Sequence, residues 1–288
     1  MKNRKTLKKY RLITLKIILL CLSCFIKINA EALNLGFGKC ANSTIVNLAE
    51  IPEPPLSKTK KSFVTQNNFG FDVVNSESNW VIESFLKGIK KNNVVMDVGA
   101  GYGALTRSAL GAGAIVINNE VSQKQQLYNL KFLNTEQKKR LFFQNNDVRY
   151  LVLDKGVLDK IIFHRVLHFF KGQEIETLLK KSYDWLKAGG KIYIVMMSKD
   201  HIAFRDKIDY DISKKWPGED LIVVSEHLPE QAYALPPTLH VMSIDTLQTA
   251  LQKIGFQVEK ADYVSLQKLG TEANRDGKEA IGIIAIKK

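Results

Sequence analysis

Cysteine is scarce in this sequence. The 288 residues contain three cysteines, Cys21, Cys24 and Cys40. So few cysteines exclude a disulfide-stapled fold, and no grouping of Cys, His and carboxylates has the spacing of a zinc site. We therefore predict no metal centre, and a core that must be stabilised by packing alone.

Long hydrophobic runs are missing as well. The apolar run at the N-terminus, 17–26, has ten residues, whereas a membrane-spanning helix needs about 20. Basic residues precede the run and Ala30 follows it, which is the pattern of a secretory signal peptide. We predict that 1–30 is a signal peptide or an N-terminal apolar segment and that the protein is exported. An uncleaved anchor, a misassigned start codon and a cytoplasmic or membrane-associated location are the alternatives.

Acidic residues are absent from the same segment. Residues 1–30 hold eight Lys or Arg, and the whole chain has a net charge of +13. The remaining 258 residues carry 34 basic and 29 acidic side chains, a net charge of +5. Since most of the basicity lies in the N-terminal segment, the charge does not argue for a nucleic-acid partner.

The usual phosphate-binding glycine motifs are also absent. Residues 94–104 read Val-Val-Met-Asp-Val-Gly-Ala-Gly-Tyr-Gly-Ala, which is neither Gly-x-Gly-x-x-Gly nor Gly-Lys-Ser/Thr. An apolar run, alternate glycines and the helical sequence 105–110 predict a strand, a tight turn and a helix, with bare amides facing a ligand. Residues 115–120 predict the next strand, and its last residue, Glu120, stands where nucleotide-binding α/β folds place the acceptor for ribose hydroxyls.

Asp97-x-Gly99-x-Gly101-x-Gly103 resembles motif I of the class I S-adenosylmethionine-dependent methyltransferases, where the turn holds the amino-acid end of the cofactor. The resemblance covers about 66–288 and includes a helix, 174–186, that is predicted to end at a glycine C-cap in 187–190. It implies a doubly wound α/β fold with a mostly parallel, seven-stranded, Rossmann-like sheet whose last strand is antiparallel. It also implies S-adenosylmethionine as the cofactor. An ordinary βα turn is the alternative.

The resemblance implies a set of cofactor-binding residues at successive strand ends. These are Asp97, Val98, Gly99, Ala100, Gly101, Gly103, Glu120, Val121, Asn146, Asp147, Val148 and His164. Asp147 corresponds to the acid that faces the adenine amino group, although a turn or N-cap role is equally open to it. Gln66 and Asn67 resemble the opening of the ribosomal-RNA adenine dimethylases, which contacts the cofactor, but an extra Asn interrupts that pattern and a polar loop is the alternative.

The stretch 164–168, His-Arg-Val-Leu-His, bears on the acceptor. Adenine and glutamine N-methylating relatives have Asn/Asp-Pro-Pro-Tyr/Phe or Asn-Leu-Pro-Tyr here, whereas this stretch resembles the small-molecule branch of the family. We therefore predict a small-molecule or protein acceptor and no nucleic acid. An RNA methyltransferase and a non-catalytic S-adenosylmethionine-binding interaction protein are the alternatives.

Methyl transfer from a sulfonium needs a general base only when the acceptor is protonated. His164, His168 and His240 are candidates, and each also fits a capping or core histidine, so no catalytic residue is assigned.

The segment 31–65 has the prolines of a linker or arm, and 66–288 forms the methyltransferase domain with an insertion at about 198–240. Oligomeric state is not predicted.

Overall fold

The structure is a computed structural model that describes residues 36–60, 62–73, 78–203, 205–206, 216–217, 221–266 and 276–288. The predicted signal segment 1–30 therefore lies outside the described residues. So do residues 31–35 of the predicted arm and parts of the predicted insertion.

The described residues form strands and helices that we number in chain order. The strands are β1 (Lys39–Cys40), β2 (Ser62–Val64), β3 (Phe71–Val73), β4 (Val94–Val98), β5 (Ile115–Asn119), β6 (Leu141–Gln144), β7 (Leu158–His164), β8 (Leu186–Met197), β9 (Leu221–Val223), β10 (Thr238–His240), β11 (Phe256–Val264) and β12 (Ala280–Lys287). The α-helices are α1 (Trp80–Lys87), α2 (Ala104–Gly111), α3 (Gln123–Tyr128), α4 (Thr135–Lys138), α5 (Gly172–Trp185), α6 (Val224–His227) and α7 (Ile244–Ile254).

Eight strands form one sheet in the order β1-β6-β5-β4-β7-β8-β12-β11. Neighbours from β6 to β8 are parallel, while β12 runs antiparallel to both β8 and β11. The predicted doubly wound α/β fold with an antiparallel last strand is confirmed. The sheet has one strand more than predicted because Lys39 and Cys40 pair antiparallel with Phe143 and Phe142 at its edge. A strand of two residues has no periodicity that could be read from the sequence.

The central strands are apolar because helices and loops cover both faces of the sheet. Ile161 and Phe163 point into one buried cluster, and Ile162 between them points into the other. This alternation follows from the two-residue period of a strand. The parallel strands therefore read as continuous hydrophobic runs in the sequence.

Helix boundaries follow local capping in one case and strand pairing in another. Asn79 caps α1, accepting hydrogen bonds from the N–H groups of Val81 and Ile82 at 3.1 Å each. The predicted glycine C-cap in 187–190 is wrong, since α5 ends at Trp185 and the glycines lie inside β8. Leu186 already pairs with Leu158 of β7, so strand pairing ends the helix before the glycines are reached.

The sheet order places the candidate site. β4 lies between β5 and β7. From β4 the chain continues through β5 and β6 on one side of the sheet and then crosses back to β7 on the other side of β4. Open α/β sheets bind ligands at such a switch point, beyond the carboxyl ends of the strands. A separate hairpin of β2 and β3 lies over this edge, and the Phe63 ring contacts the Tyr102 ring at a centroid distance of 5.6 Å. Within the described ranges, every helix is too short or too polar to cross a bilayer.

Lys160 is a buried cation on β7. Its side chain donates to the carbonyl of Phe85 at 2.8 Å and contacts the Tyr193 hydroxyl at 3.1 Å, and its exposed fraction is 6%. Burial lowers the pKa of Lys160 from 10.5 to about 8. The folded protein thus holds this proton less tightly than the unfolded chain does.

We predict that Lys160→Met removes a pH dependence of stability. Between pH 8 and pH 10 the unfolded chain binds more protons at Lys160 than the folded protein, so the parent should gain stability relative to Lys160→Met as pH rises. The gain is about 2 kcal/mol, from roughly two pKa units at 1.36 kcal/mol each with allowance for relaxation. Urea unfolding at pH 8, 9 and 10 measures it. Lys187→Met is the control, because Lys187 pairs with Asp159 at the surface; a parent-minus-variant difference that stays flat would contradict the prediction.

Candidate functional site

The loop between β4 and α2 brings bare backbone to the edge of the sheet. Gly99, Gly101 and Gly103 have φ values of 64°, 55° and 77°, a region that disfavours side chains. A Cβ atom on Gly101 would lie 2.5 Å from the Asp72 carboxylate, and one on Gly103 would overlap the Asn129 side chain. The alternate glycines therefore allow other side chains to close directly onto this loop.

Two carboxylates accept hydrogen bonds from consecutive amides of this loop. The Gly101 N–H donates to Glu120 at 3.0 Å, and the Tyr102 N–H donates to Asp72 at 2.6 Å. A second Glu120 oxygen accepts from the Ser122 N–H at 3.0 Å. Burial raises the pKa of Glu120, and its backbone hydrogen bonds oppose that rise. The loop that leads into α2 is thus held by two acids from outside it, Glu120 directly after β5 and Asp72 on β3.

Asp97 is the third carboxylate, at the end of β4. It is 3% exposed and accepts a hydrogen bond from the Thr106 hydroxyl at 2.7 Å. Burial raises its pKa to about 6, and the nearby Asp72 and Glu120 charges add to that rise while Thr106 opposes it. A buried acid with a raised pKa beside two more carboxylates is typical of a functional site.

These carboxylates border a cavity of about 390 Å³, which lies within the usual size range of small-molecule sites. Predicted site residues on its wall are Asn67, Asp97, Val98, Gly99, Ala100, Gly101, Glu120, Val121, Asp147, Val148 and His164. We call it the first cavity. Side chains from the ends of β4, β5 and β7, and from the loop after β6, thus converge on one space.

Three of the predicted cofactor contacts do not line the first cavity. Gln66 instead donates from its side chain to the Tyr102 hydroxyl at 3.4 Å. The Asn146 carbonyl accepts a hydrogen bond from the Asn119 side chain at 2.7 Å. Gly103 makes room for Asn129, as described above. In the structure, these three residues support the loops of the site and do not border the cavity.

Asp147 reaches the cavity wall in an ion pair. Arg149 donates to both of its carboxylate oxygens, at 2.6 Å for the closest contact, and also to Glu174 at 2.6 Å. Although burial raises the pKa of Asp147, hydrogen bonds from Arg149 outweigh burial and lower it. This acid is therefore ionised and oriented by Arg149 at neutral pH.

The three candidate histidines occupy different surroundings. His164 lines the first cavity at the end of β7. Burial lowers the pKa of His168 to about 3 and that of His240 to about 4. Among the described residues neither has a hydrogen-bond partner for its Nδ1 atom. Both rings are neutral at neutral pH and too weakly basic to serve as general bases near pH 7.

Sequence reasoning missed Asp72 and Arg165, which both line the first cavity. Asp72 lies on β3, a strand of three residues in the hairpin outside the main sheet. Arg165 follows β7 with a φ of 59°, uncommon for a residue other than glycine. The position of Asp72 depends on a long-range contact that no local pattern indicates. For Arg165 the signal was its place directly after a strand that ends at the site.

Comparison with known proteins gives one family match and three similar solved structures. Residues 96–194 match the family model of a methyltransferase domain. The structure is similar to an S-adenosylmethionine-dependent methyltransferase of Methanosarcina mazei, at 17% identity and a TM-score of 0.56, covering 74% of this chain and 99% of that one. It is also similar to the 1,6-didemethyltoxoflavin N1-methyltransferase of Burkholderia thailandensis, solved with 1,6-didemethyltoxoflavin and S-adenosylhomocysteine, at 18% identity and a TM-score of 0.52, covering 72% and 75%.

A third similar structure is phosphoethanolamine N-methyltransferase 2 of Haemonchus contortus, solved with S-adenosylmethionine. It has 14% identity and a TM-score of 0.52, covering 72% of this chain and 51% of that one. A search of curated proteins found no match. At these identities the solved structures establish the fold alone.

The burial of Asp97 leads to a stability prediction with a definite sign. Its folded pKa of about 6 lies above the ordinary value of 3.8. The folded protein therefore binds the proton more tightly, and stability should fall as pH rises from 4 to 6. We predict that Asp97→Asn removes this fall and stabilises the protein at pH 7 by up to about 3 kcal/mol, from roughly two pKa units.

Chemical denaturation of Asp97→Asn and the parent between pH 4 and pH 7 measures this effect. Asp147→Asn is the matched control, because the lowered pKa of Asp147 gives the opposite sign and should destabilise the protein at pH 7. The prediction fails if Asp97→Asn shows the same pH slope as the parent.

Proposed function

We propose that this chain, which carries a methyltransferase domain of the S-adenosylmethionine-dependent class, is an active enzyme that transfers a methyl group from S-adenosylmethionine to a small-molecule or protein acceptor. The observation that best supports this proposal is the acidic lining of the first cavity around the glycine loop. S-adenosylmethionine supplies an activated methyl group on a positively charged sulfonium. The residues of this chain bind, orient and shield it.

The charge of the cavity supports a cationic cofactor over a phosphate. Helix N-termini ordinarily favour anions. Here the Gly101 and Tyr102 amides, in the loop that leads into α2, donate to Glu120 and Asp72. A phosphate bound at this loop would lie beside these two carboxylates and Asp97. A molecule with a sulfonium and an ammonium group meets complementary charge instead.

The residues on the wall of the first cavity fall into groups that suit different parts of S-adenosylmethionine. Glu120, directly after β5, is the acceptor suited to ribose hydroxyls. Asp72 and Asp97 provide negative charge for the amino-acid end and the sulfonium. Val121 and Val148 provide apolar surface for the adenine. The residues present therefore fit S-adenosylmethionine.

Titration calorimetry tests cofactor binding directly. We expect S-adenosylmethionine and S-adenosylhomocysteine to bind the full chain and NAD to show no binding, because its pyrophosphate meets the acidic wall. Gly101→Arg should abolish binding, since it fills the site of the Asp72 carboxylate. Gly111→Ala is the control, because a Cβ there meets nothing within 4 Å. Absence of binding of both compounds to the parent would refute the proposal.

Methyl incorporation separates the acceptor classes. Cell extract is incubated with the enzyme and labelled S-adenosylmethionine, then split by size filtration and by protease or nuclease treatment. We expect label in the small-molecule or protease-sensitive fraction. Label confined to the nuclease-sensitive fraction would establish the RNA alternative, and no label despite cofactor binding would establish the non-catalytic one.

We further propose that the protein is exported from a bacterial cell, on the basis of the basic start and short apolar run of residues 1–30. An exported enzyme needs a supply of S-adenosylmethionine, which the cytosol of another cell provides to a secreted effector. Fractionation with N-terminal sequencing of the mature protein tests this. A chain that begins at Glu31 outside the cytoplasm is expected. An intact Met1 chain in the cytosol or the membrane pellet would contradict export.

A further inference from the structure

A second cavity, of about 110 Å³, adjoins the first. The two share wall residues Phe69, Phe71, Asp72, Arg165 and Phe169. A molecule in the second cavity therefore lies against side chains that also line the first. The hairpin of β2 and β3 contributes three of them, and the segment after β7 contributes the other two.

Contacts between the hairpin and the segment that follows α6 fix one part of the second wall. The Gly70 N–H donates to the Ala234 carbonyl at 2.8 Å, and the ring of Phe71 meets the ring of Tyr233 at a centroid distance of 5.7 Å. The Tyr233 hydroxyl also accepts from the Lys58 N–H at 3.1 Å. Gly70 and Phe71, which both line the second cavity, are therefore held in place from outside it.

The size of the cavity restricts that molecule further. An apolar cavity of about 150 Å³ binds benzene, and the second cavity is somewhat smaller at about 110 Å³. It therefore holds no more than about one ring. Its openings to the first cavity leave room for a reacting substituent to extend past Arg165 and Asp72.

Aromatic and sulfur-containing side chains line much of the wall. Phe69 and Phe169 lie with ring centroids 5.5 Å apart, and Met196 and Met197 are also on the wall. Aromatic rings and thioethers make favourable contacts with a planar ring. These side chains favour an aromatic occupant over an aliphatic one of the same size.

Charge on the wall is distributed unevenly. Glu279 is 1% exposed and accepts hydrogen bonds from the Leu266 and Gly277 amides at 2.8 and 2.7 Å. Arg165 lies at the shared wall, half-buried, and donates to the Phe71 carbonyl at 3.2 Å. A guanidinium both stacks on planar rings and binds anionic oxygen or nitrogen. The shared wall thus carries the Arg165 cation and the Asp72 carboxylate, which accepts from the Tyr102 amide, while the buried Glu279 is bonded to backbone amides.

We infer that the second cavity is the acceptor site and that it takes a single planar aromatic or heteroaromatic ring whose ionisable O–H or N–H lies at Arg165. This inference rests on the proposed function. The ring group loses its proton to solvent, because Arg165 favours the anion. Its electron pair forms a bond to the methyl carbon while the carbon–sulfur bond breaks. The pair from that bond stays on sulfur, leaving neutral S-adenosylhomocysteine.

Binding to the full chain saturated with S-adenosylhomocysteine tests the ring preference. The probes are 4-hydroxybenzoate and its saturated counterpart, trans-4-hydroxycyclohexanecarboxylate. We expect the aromatic probe to bind at least about tenfold more tightly, because its planar ring can stack on the Phe69 and Phe169 rings and the saturated ring cannot. With S-adenosylmethionine, 4-hydroxybenzoate should gain one methyl group by mass spectrometry. Equal binding of the two probes would overturn the inference.

Variants that fill the second cavity alone separate it from the first. Ala280→Leu and Gln231→Trp change residues on the second wall only. Both variants should retain S-adenosylhomocysteine binding and lose probe binding. Gln231 is partly exposed, so Gln231→Trp fills the cavity without the substitution of a buried residue. Phe169→Leu should weaken probe binding, whereas the exposed control Phe132→Leu should not.

The outcomes separate the inference from the function on which it rests. If the parent does not bind S-adenosylhomocysteine, the proposed function fails. If it binds but both cavity-filling variants keep full probe affinity, the acceptor site is elsewhere and the inference fails. Methylation of a tyrosine-containing peptide in place of the free ring would also overturn it.

Discussion

Two neighbouring amides determine how the site is assembled. The Gly101 N–H donates to Glu120 and the Tyr102 N–H donates to Asp72, at 3.0 and 2.6 Å. Glu120 follows β5 in the main sheet, whereas Asp72 belongs to the hairpin outside it. These two hydrogen bonds therefore hold the loop before α2 against both the sheet edge and the hairpin. The acidic character of the first cavity is a direct consequence, because the groups that accept from these loop amides are carboxylates.

Clustering these acids opposes stability and favours binding of a cation. Burial, together with the nearby Asp72 and Glu120 charges, raises the pKa of Asp97 to about 6. The Thr106 hydroxyl, which also accepts from the Asn118 side chain at 2.9 Å, partly offsets that effect. A bound cation reduces the repulsion between the three carboxylates. This repulsion lowers the stability of the fold, which packing elsewhere in the sheet offsets, and it is also what favours a cationic ligand at the site.

Sequence reasoning worked where one local signal decided the structure. The parallel strands were predictable because burial on both faces makes them continuous apolar runs, and the glycine loop was predictable from its spacing. It failed where distant contacts decide. The glycines in 187–190 indicated a helix cap, but Leu186 pairs with Leu158 and the helix ends earlier. Asp72 could not be assigned to the site from sequence, because a three-residue strand has no periodicity and its carboxylate is positioned by an amide 30 residues away.

The charges on the shared wall of the two cavities match those of the two proposed reactants. The first cavity is acidic and suits a sulfonium, while Arg165 at the wall suits an anionic acceptor. A cation and an anion react to give two neutral products, so charge disappears along the reaction. Water stabilises the separated charges and would slow such a step, whereas an enclosed, low-dielectric space does not. The hydrogen bond between Gly70 and Ala234 fixes the hairpin, which contributes Phe69, Phe71 and Asp72 to the shared wall. By displacing water from this wall, the hairpin favours methyl transfer as well as selecting the acceptor.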